Sequence, residues 1–269
     1  MNENKKFCIG VVLYSPPQSC VERLLRLLAL GYVVYCYDNT PSIGITRNRL
    51  ATFSNFKYHS CADNVGLAIG ISTICDHAYH DGHQRLLFFD QDTVFTQETI
   101  RSVEKFITEC QPEDPYRNYS TITFREQTPM PSLDGKTQVA EVLLTINSGS
   151  LFNLASAKTI KFMNKNLFVD CVDYDFCFRS HLAGFKIGEI KNVPGLDHSS
   201  EQGDATIGSG VGKIKLRRYP LWRIRDSISA SLRIFMTAAI NRNIRFSFLI
   251  LKSVIGYIVF QIMARIIRK

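Results

Sequence analysis

The chain has 269 residues, 45% of them apolar, enough for one large domain with a sizeable core or a domain plus an appendage. Its formal charge of +8 is unevenly spread: residues 213–269 hold 13 Lys and Arg against one acid, Asp226, leaving 19 basic and 23 acidic residues before them. Such a tail seeks a polyanion, either nucleic acid or an anionic membrane surface, and Phe246–Ala264 is too apolar for a solvated phosphate-binding arm, which argues against nucleic acid. Eight cysteines without a C-x-x-C pair, in apolar settings such as Val34–Cys36 and Cys171, read as reduced core residues of a cytosolic protein. No signal peptide is evident, since the apolar run Phe7–Tyr14 is about a strand long and is broken by Pro16-Pro17.

Phe7–Tyr14 predicts a buried strand. Ser19 with Glu22 three residues later is a capping-box pattern that opens a helix over Val21–Leu30, closed by Gly31. Tyr32–Tyr37 predicts a second strand, running into Asp38-Asn39-Thr40-Pro41. A helix over Gly44–Phe53, a short strand at Lys57–Ser60 and a helix over Gly66–His80 follow, then the strand Arg85–Phe89. This alternation implies a parallel sheet built by right-handed crossovers, whose ligands sit beyond the carboxyl ends of the strands. Beyond it the pattern gives a helix over Thr96–Cys110, a Pro-containing loop over Gln111–Arg117, strands at Ser120–Phe124 and Val139–Thr145, and helices at Ala155–Met163 and Tyr174–Leu182. One catalytic domain over residues 1–212 and a basic helical region over 213–269 is the organisation expected.

The chemistry concentrates at strand ends. In Arg85-Leu-Leu-Phe-Phe-Asp-Gln-Asp-Thr93, Asp90 and Asp92 lie two residues apart, so an extended strand points both the same way. Paired carboxylates suit a hard cation such as Mg²⁺ or Mn²⁺ bridging phosphate oxygens, or they are simply an Asp-rich turn. Asp38, at the end of the second strand, could accept from a ribose hydroxyl or a base N–H, or form a turn with Asn39. No G-x-G-x-x-G follows the first strand, which argues against a dinucleotide cofactor. Asn64-Val-Gly66 marks a tight loop before a helix, where Asn64 could equally cap that helix. In Asp170-Cys-Val-Asp-Tyr-Asp-Phe-Cys-Phe-Arg179, Asp175 and Arg179 are spaced to pair on a helix. Asp173 sits near the helix start, either as a general base or as an acid favoring a helix N-terminus. His198 could join Asp92 on a metal or be a surface histidine, and His77, His80 and His83 read as surface histidines more than as zinc ligands.

These segments, in this order, resemble the family 2 nucleotide-sugar glycosyltransferases of the GT-A fold, in particular the bacterial rhamnosyltransferase branch. The resemblance runs over nearly the whole of Phe7–Asp226: Tyr14-Ser15, Asp38-Asn39-Thr40, Asn64-x-Gly66, Phe89-Asp-Gln-Asp-Thr93, Asn147-Ser-Gly-Ser150, Phe168-Val-Asp-x-Val-Asp-Tyr-Asp175 with Arg179, and His198 upstream of Gly203. It departs at Asp226, where Asn usually follows the arginine, here Arg225. The resemblance implies an α/β, Rossmann-like sheet, mostly parallel and flanked by helices, and an inverting metal-dependent transferase. Tyr14, Ser15, Asp38, Asn64, Gly66, Asp90 and Asp92 would bind the nucleotide-sugar donor, and Asp92, Asp90 and His198 would hold Mg²⁺ or Mn²⁺. Asp173 would be the base, Ser148, Gly149 and Asp170 would meet the acceptor, and Asp175, Arg179 and Arg225 would support them. The donor implied is dTDP-rhamnose, with a UDP-hexose as the alternative, galactofuranose included. The acceptor it implies is a lipid-linked glycan of O-antigen or capsule synthesis. A nucleotide-binding module without turnover is the non-enzymatic alternative, and it would need no base at Asp173.

The tail fits that acceptor. Its longest uncharged piece, Ser253–Ala264, falls short of the roughly 20 residues that span a bilayer. With Arg242, Arg245 and Lys252 on one helical face, the expectation is a helix lying on the cytoplasmic face of the bacterial inner membrane. A core or oligomer-interface helix and a tilted span remain as alternatives.

Overall fold

The computed structural model describes residues 6–41, 49–110, 114–126, 139–197, 205–207 and 214–266. The first half of the helix expected over Gly44–Phe53, together with His198, Gly203, Lys213, Arg268 and Lys269, lies outside the described residues.

β1 (Cys8–Leu13) is buried over all six residues, as a strand covered on both faces must be. α1 (Gln18–Ala29) turns Cys20, Val21, Leu24, Leu27 and Leu28 inward. It starts ahead of the Ser19/Glu22 pattern, which goes unused. Pro17, with its φ preset, is the N-cap, and its carbonyl accepts from the Cys20 N–H at 3.0 Å. Gly31, at φ 83°, ends the helix with a bond to the Leu28 carbonyl. β2 (Val34–Asp38), β3 (Phe56–His59), α2 (Leu67–His80), β4 (Arg85–Asp90) and α3 (Gln97–Glu109) complete the first half. α3 is opened by a Thr96/Thr99 capping box.

The second half reads less regularly. β5 (Tyr119–Glu126) is longer than expected, and the strand expected over Val139–Thr145 is only the two-residue β6 (Ala140–Glu141). β7 (Ser150–Asn153) was not recognizable in the sequence, nor was β8 (Lys186–Val193). α4 (Leu154–Thr159) stops short of Met163 because Lys161 and Phe162 turn left-handed. α5 (Val172–Leu182) begins two residues early.

The eight strands form one sheet in the order β3-β2-β1-β4-β7-β5-β8-β6. The first four are parallel, as are β5 and β8, while β7 runs antiparallel to β4 and β5 and β6 antiparallel to β8. The core beneath α1 and α3 gathers Phe7, Leu13, Leu24, Phe89, Val103 and Phe106, each burial favoring the fold by about 1.5–3 kcal/mol.

The chain divides into two compact units, Met1–Phe168 with Val172–His198, and Val169–Cys171 with Ser199–Lys269. In the second, β9 (Ala205–Ile207) and β10 (Ile214–Leu216) form an antiparallel ribbon, so the basic region opens on a strand and not a helix. α6 (Leu221–Ile240) and α7 (Ile244–Ile266) then pack as a helical hairpin. Arg242 adopts φ 56° in the connection, and the Asn243 side chain accepts from the Phe246 N–H at 3.1 Å to start α7. At the far end of α7, Gln261 bonds the Arg217 carbonyl and the Tyr219 N–H, and Arg265 donates to the Tyr219 carbonyl.

Candidate functional site

Parallel register sets the site. Leu13 pairs with Asp38 and Val12 with Asp90, so the carboxyl ends of β2, β1 and β4 lie side by side, with Asp38 and Asp90 two strand spacings, about 10 Å, apart. The middle residue of Asp90-Gln91-Asp92 fastens two of these ends together. Gln91 accepts the Tyr14 N–H at 2.8 Å and donates to the Tyr14 carbonyl at 3.1 Å, while its own carbonyl accepts from Arg23 at 2.8 Å. The Asp90 N–H donates to Ser148 Oγ at 3.0 Å, and that hydroxyl lies 2.6 Å from the Thr93 hydroxyl. Thr93 N–H closes the turn on the Asp90 carbonyl. Asp90 is half-buried and Asp92 exposed. Ser148, only 2% exposed, and Gly149, whose backbone bonds Phe88 and Phe124, are thus set inside the sheet, buttressing the strand end.

Ser15 sits at φ 44°, a conformation that costs a non-glycine residue of order 1 kcal/mol, and its N–H donates to Thr40 Oγ1 at 2.8 Å. Asp38 is 1% exposed. Its Oδ1 accepts the Thr40 N–H at 2.9 Å and its Oδ2 the Tyr58 hydroxyl at 3.1 Å, so both oxygens are held in place by neighboring segments. Burial first, and Asp38 second, push the Tyr58 phenol up to about 12.

Asn39, in sequence only a turn residue beside Asp38, ties the site together. Its amide donates to the Gly66 carbonyl and accepts the Val65 N–H, both at 3.1 Å, which binds the loop before α2 to the end of β2. Asn64 accepts the Gly66 N–H and so shapes that loop, whereas the N-cap of α2 is Gly66 itself, without a side-chain cap. Gly66 is required twice over: φ is 88°, and a Cβ there would lie 2.5 Å from the Phe168 carbonyl oxygen. The Leu67 N–H donates to that same carbonyl at 2.6 Å.

Five residues after Phe168, Asp173 is half-buried in the first turn of α5, its Oδ1 accepting the Tyr174 N–H at 2.9 Å. Burial, with the Asp173 and Asp175 charges adding, pushes the Cys177 thiol up to about 12. Asp175 is buried and pairs with Arg179 at 2.6 Å, as its spacing predicts, and also accepts from Asn164. Arg179 continues to the Ile160 carbonyl, locking α5 to the end of α4.

Asp170 and Arg225 belong to the second unit. Asp170 lies 3.5 Å from Arg223, a partner the sequence did not reveal because the two are 53 residues apart. Burial raises the Asp170 pKa against the opposing pull of Arg223. Arg223 also stacks 4.3 Å over the Tyr219 ring. Asp226 accepts the N–H groups of Val169 and Asp170 at 3.4 and 3.3 Å, and Arg225 is exposed on α6.

Among the described residues no three His, Cys, Asp or Glu side chains converge as a metal site. Asp90 and Asp92 supply two hard oxygen ligands, the donor set Mg²⁺ or Mn²⁺ prefers. The third expected ligand, His198, lies outside the described residues, but Val94 and Asp197 form a two-way backbone bridge at 3.0 and 2.8 Å. Thr99 Oγ1 donates to the Pro194 carbonyl, and a Cβ on Gly195 would strike Thr96. The chain leading to residue 198 is therefore fastened two residues beyond Asp92, and the two carboxylates are of the chemical type that such a cation prefers.

No protein-family profile matches the chain, and no curated protein sequence matches it. Solved structures do share the fold. TarS residues 1–349 of S. aureus in complex with UDP-GlcNAc is 17% identical over 71% of this chain and 56% of that one, with a TM-score of 0.52. The UDP complex of the same fragment gives 17%, 71%, 58% and 0.52. The longer TarS structure gives 16% identity, 70% of this chain, 37% of that one and 0.51. The match thus spans little more than half of the TarS fragment. The likeness establishes the architecture, a mixed α/β sheet flanked by helices.

Proposed function

We propose that the protein is an inverting nucleotide-sugar glycosyltransferase. The observation that carries this reading is the Asp90-Gln91-Asp92 turn, clamped to β1 by Gln91 and to the sheet by Ser148, at the carboxyl end of a strand in a fold that TarS presents with UDP-GlcNAc bound. Tyr14, Ser15, Asp38 and the Asn64–Gly66 loop would seat the nucleoside, with Asn39 and Tyr58 orienting them. Asp90, Asp92 and His198 would hold Mg²⁺ or Mn²⁺, which when bound supplies charge neutralization for the departing diphosphate. Asp173 takes the proton from the acceptor hydroxyl as that oxygen forms its bond to the anomeric carbon, and the bond to the nucleoside diphosphate breaks on the opposite face.

The sequence resemblance favors dTDP-rhamnose as donor. The fold shared with a UDP-GlcNAc complex favors a UDP-hexose as the second reading. A lipid-linked glycan at the cytoplasmic face of a bacterial inner membrane is the acceptor we propose, which the basic, apolar second unit supports. Incubating the protein with a panel of dTDP- and UDP-sugars and Mn²⁺, and measuring nucleoside diphosphate release, tests the reading. One donor should turn over. Binding of a nucleotide-sugar without release under any acceptor would instead mark a binding module.

A further inference from the structure

α7 carries a feature that its sequence pattern conceals. Ile244, Phe248, Leu251, Ile255, Val259 and Ile262 recur at the helical period and are each more than 40% exposed, so they form one straight apolar stripe about 27 Å long. The opposite side, including Phe246, Ile250 and Val254, is buried. Because both sides are apolar, the helix shows little amphipathic contrast in sequence, yet one of its apolar sides faces outward. Only 28% of its most apolar stretch is buried, unlike the core helix of a soluble domain.

We propose that this stripe docks flat into the interfacial layer of an anionic bilayer, with α7 lying in the membrane plane. The inference sharpens the membrane part of the reading above, but it stands on the hairpin alone and requires no transferase activity. Charge selects the occupant. Arg245 and Lys252 each follow a stripe residue by one position and so line one flank, Arg242 lies at the hairpin turn, and all three are exposed. Asp226 is the only acid among residues 214–266, and it is engaged with the backbone of Val169 and Asp170. A second copy meeting this face through a two-fold axis would set basic flank against basic flank in an antiparallel pairing, and in a parallel one would leave each flank facing no carboxylate of the partner's stripe. Anionic headgroups neutralize the same residues. The in-plane orientation follows from the neighbors of α7. Although α7 is long enough to cross a bilayer, it packs against α6, which carries exposed Arg225 and Arg233, and Lys252 is exposed within the span.

Flotation of the full chain with phosphatidylcholine vesicles, with and without phosphatidylglycerol, tests the proposal. Binding should require the anionic lipid and weaken with salt. Phe248→Glu combined with Ile255→Glu should weaken it about a hundredfold at an unchanged urea midpoint, and Arg245→Gln with Lys252→Gln about tenfold at low salt only. Should the glutamate variant fail to fold, Phe248→Trp in a Trp222→Phe chain, whose single tryptophan then lies on the stripe, keeps the idea exposed to failure. Its emission should shift to the blue on anionic vesicles and be quenched by brominated acyl chains. An unshifted spectrum overturns the proposal. So does a vesicle-free dimer that the glutamate pair dissociates, or membrane-bound protein that alkaline carbonate cannot release.

Discussion

At the carboxyl ends of β1, β2 and β4, side chains are fastened to the backbone of neighboring segments: Gln91 to Tyr14, Asn39 to Gly66, Ser148 to Asp90. Along α6 and α7 the exposed charged residues are instead all basic and stand among exposed apolar ones, and polar ties concentrate at the helix ends, around Asn243 and Gln261. The first region holds its polar groups in fixed places, the preorganization that the proposed charge stabilization would demand. The second presents a broad apolar surface edged with positive charge, which a fluid partner can meet without atomic registry. Variants in the two regions should therefore fail in different ways.

The largest expected effect is at Asp92. Asp92→Ala, or excess EDTA, should lower sugar transfer by a factor on the order of a thousand while leaving the urea midpoint and vesicle binding unchanged, since a bound cation contributes several kcal/mol to the departing diphosphate. Full activity in EDTA would remove the metal from the mechanism. Asp173→Asn comes next. It keeps the size of the side chain but removes the base, so transfer should fall by about a hundredfold or more with donor affinity retained. Were donor affinity lost and the rate at saturation kept, Asp173 would belong to the donor side.

How far each region could be read from sequence follows from the physics that builds it. The parallel half was legible because β1, β2 and β4 are short apolar runs ending in Asp or Tyr-Ser, and because their crossover helices carry a 3.6-residue period. The Asp175–Arg179 pair was legible because helix geometry fixes its spacing. β7 and β8 were not, because Ser150-Leu-Phe-Asn153 and Lys186–Val193 lack clean alternation and pair through residues distant in sequence. The work of Gln91, Asn39 and Ser148 was invisible for a related reason: a polar residue bonded to backbone across a gap of 26 to 77 residues leaves no local trace. The outer stripe of α7 was obscured because an equally apolar inner face cancels the contrast on which periodicity depends.

Two glycines sharpen the contrast at the level of stability. Gly66→Ala places a Cβ against the Phe168 carbonyl at a left-handed φ. It should cost about 2 kcal/mol, a fall in Tm of roughly 4–8 °C, and weaken nucleotide binding as the loop shifts. Gly256→Ala, in the interior of α7 with nothing within 4 Å of the added carbon, should stabilize by about 0.5–1 kcal/mol and leave turnover unchanged. Thermal melts of the two single variants decide the matter. A destabilized Gly256→Ala would mean that α7 is packed more tightly on that side than its open surroundings indicate.

The smallest effect separates the regions by titration. His59 and His83 both have pKa values below the ordinary 6.5, in each case mainly through burial, with His77 stacked 4.0 Å from His59 adding to the shift and Asp81 opposing it at both. A histidine whose pKa is lowered by folding binds fewer protons in the native than in the unfolded chain across the window between the two values. Stability conferred by the neutral ring is thus complete above the unfolded pKa and declines as pH drops through about 6.5 toward the folded values. Asp76, held low chiefly by its bond to Lys158, has the same sign but acts only near and below its ordinary 3.8, so it does not interfere at mild acidity. Residues 214–266 contain no histidine. The urea midpoint should accordingly fall modestly from pH 7.5 to pH 5.5. His59→Gln with His83→Gln should flatten that slope, while vesicle binding stays constant over the same range. A midpoint that rises on acidification would reverse the sign and place these two rings among groups that favor their charge.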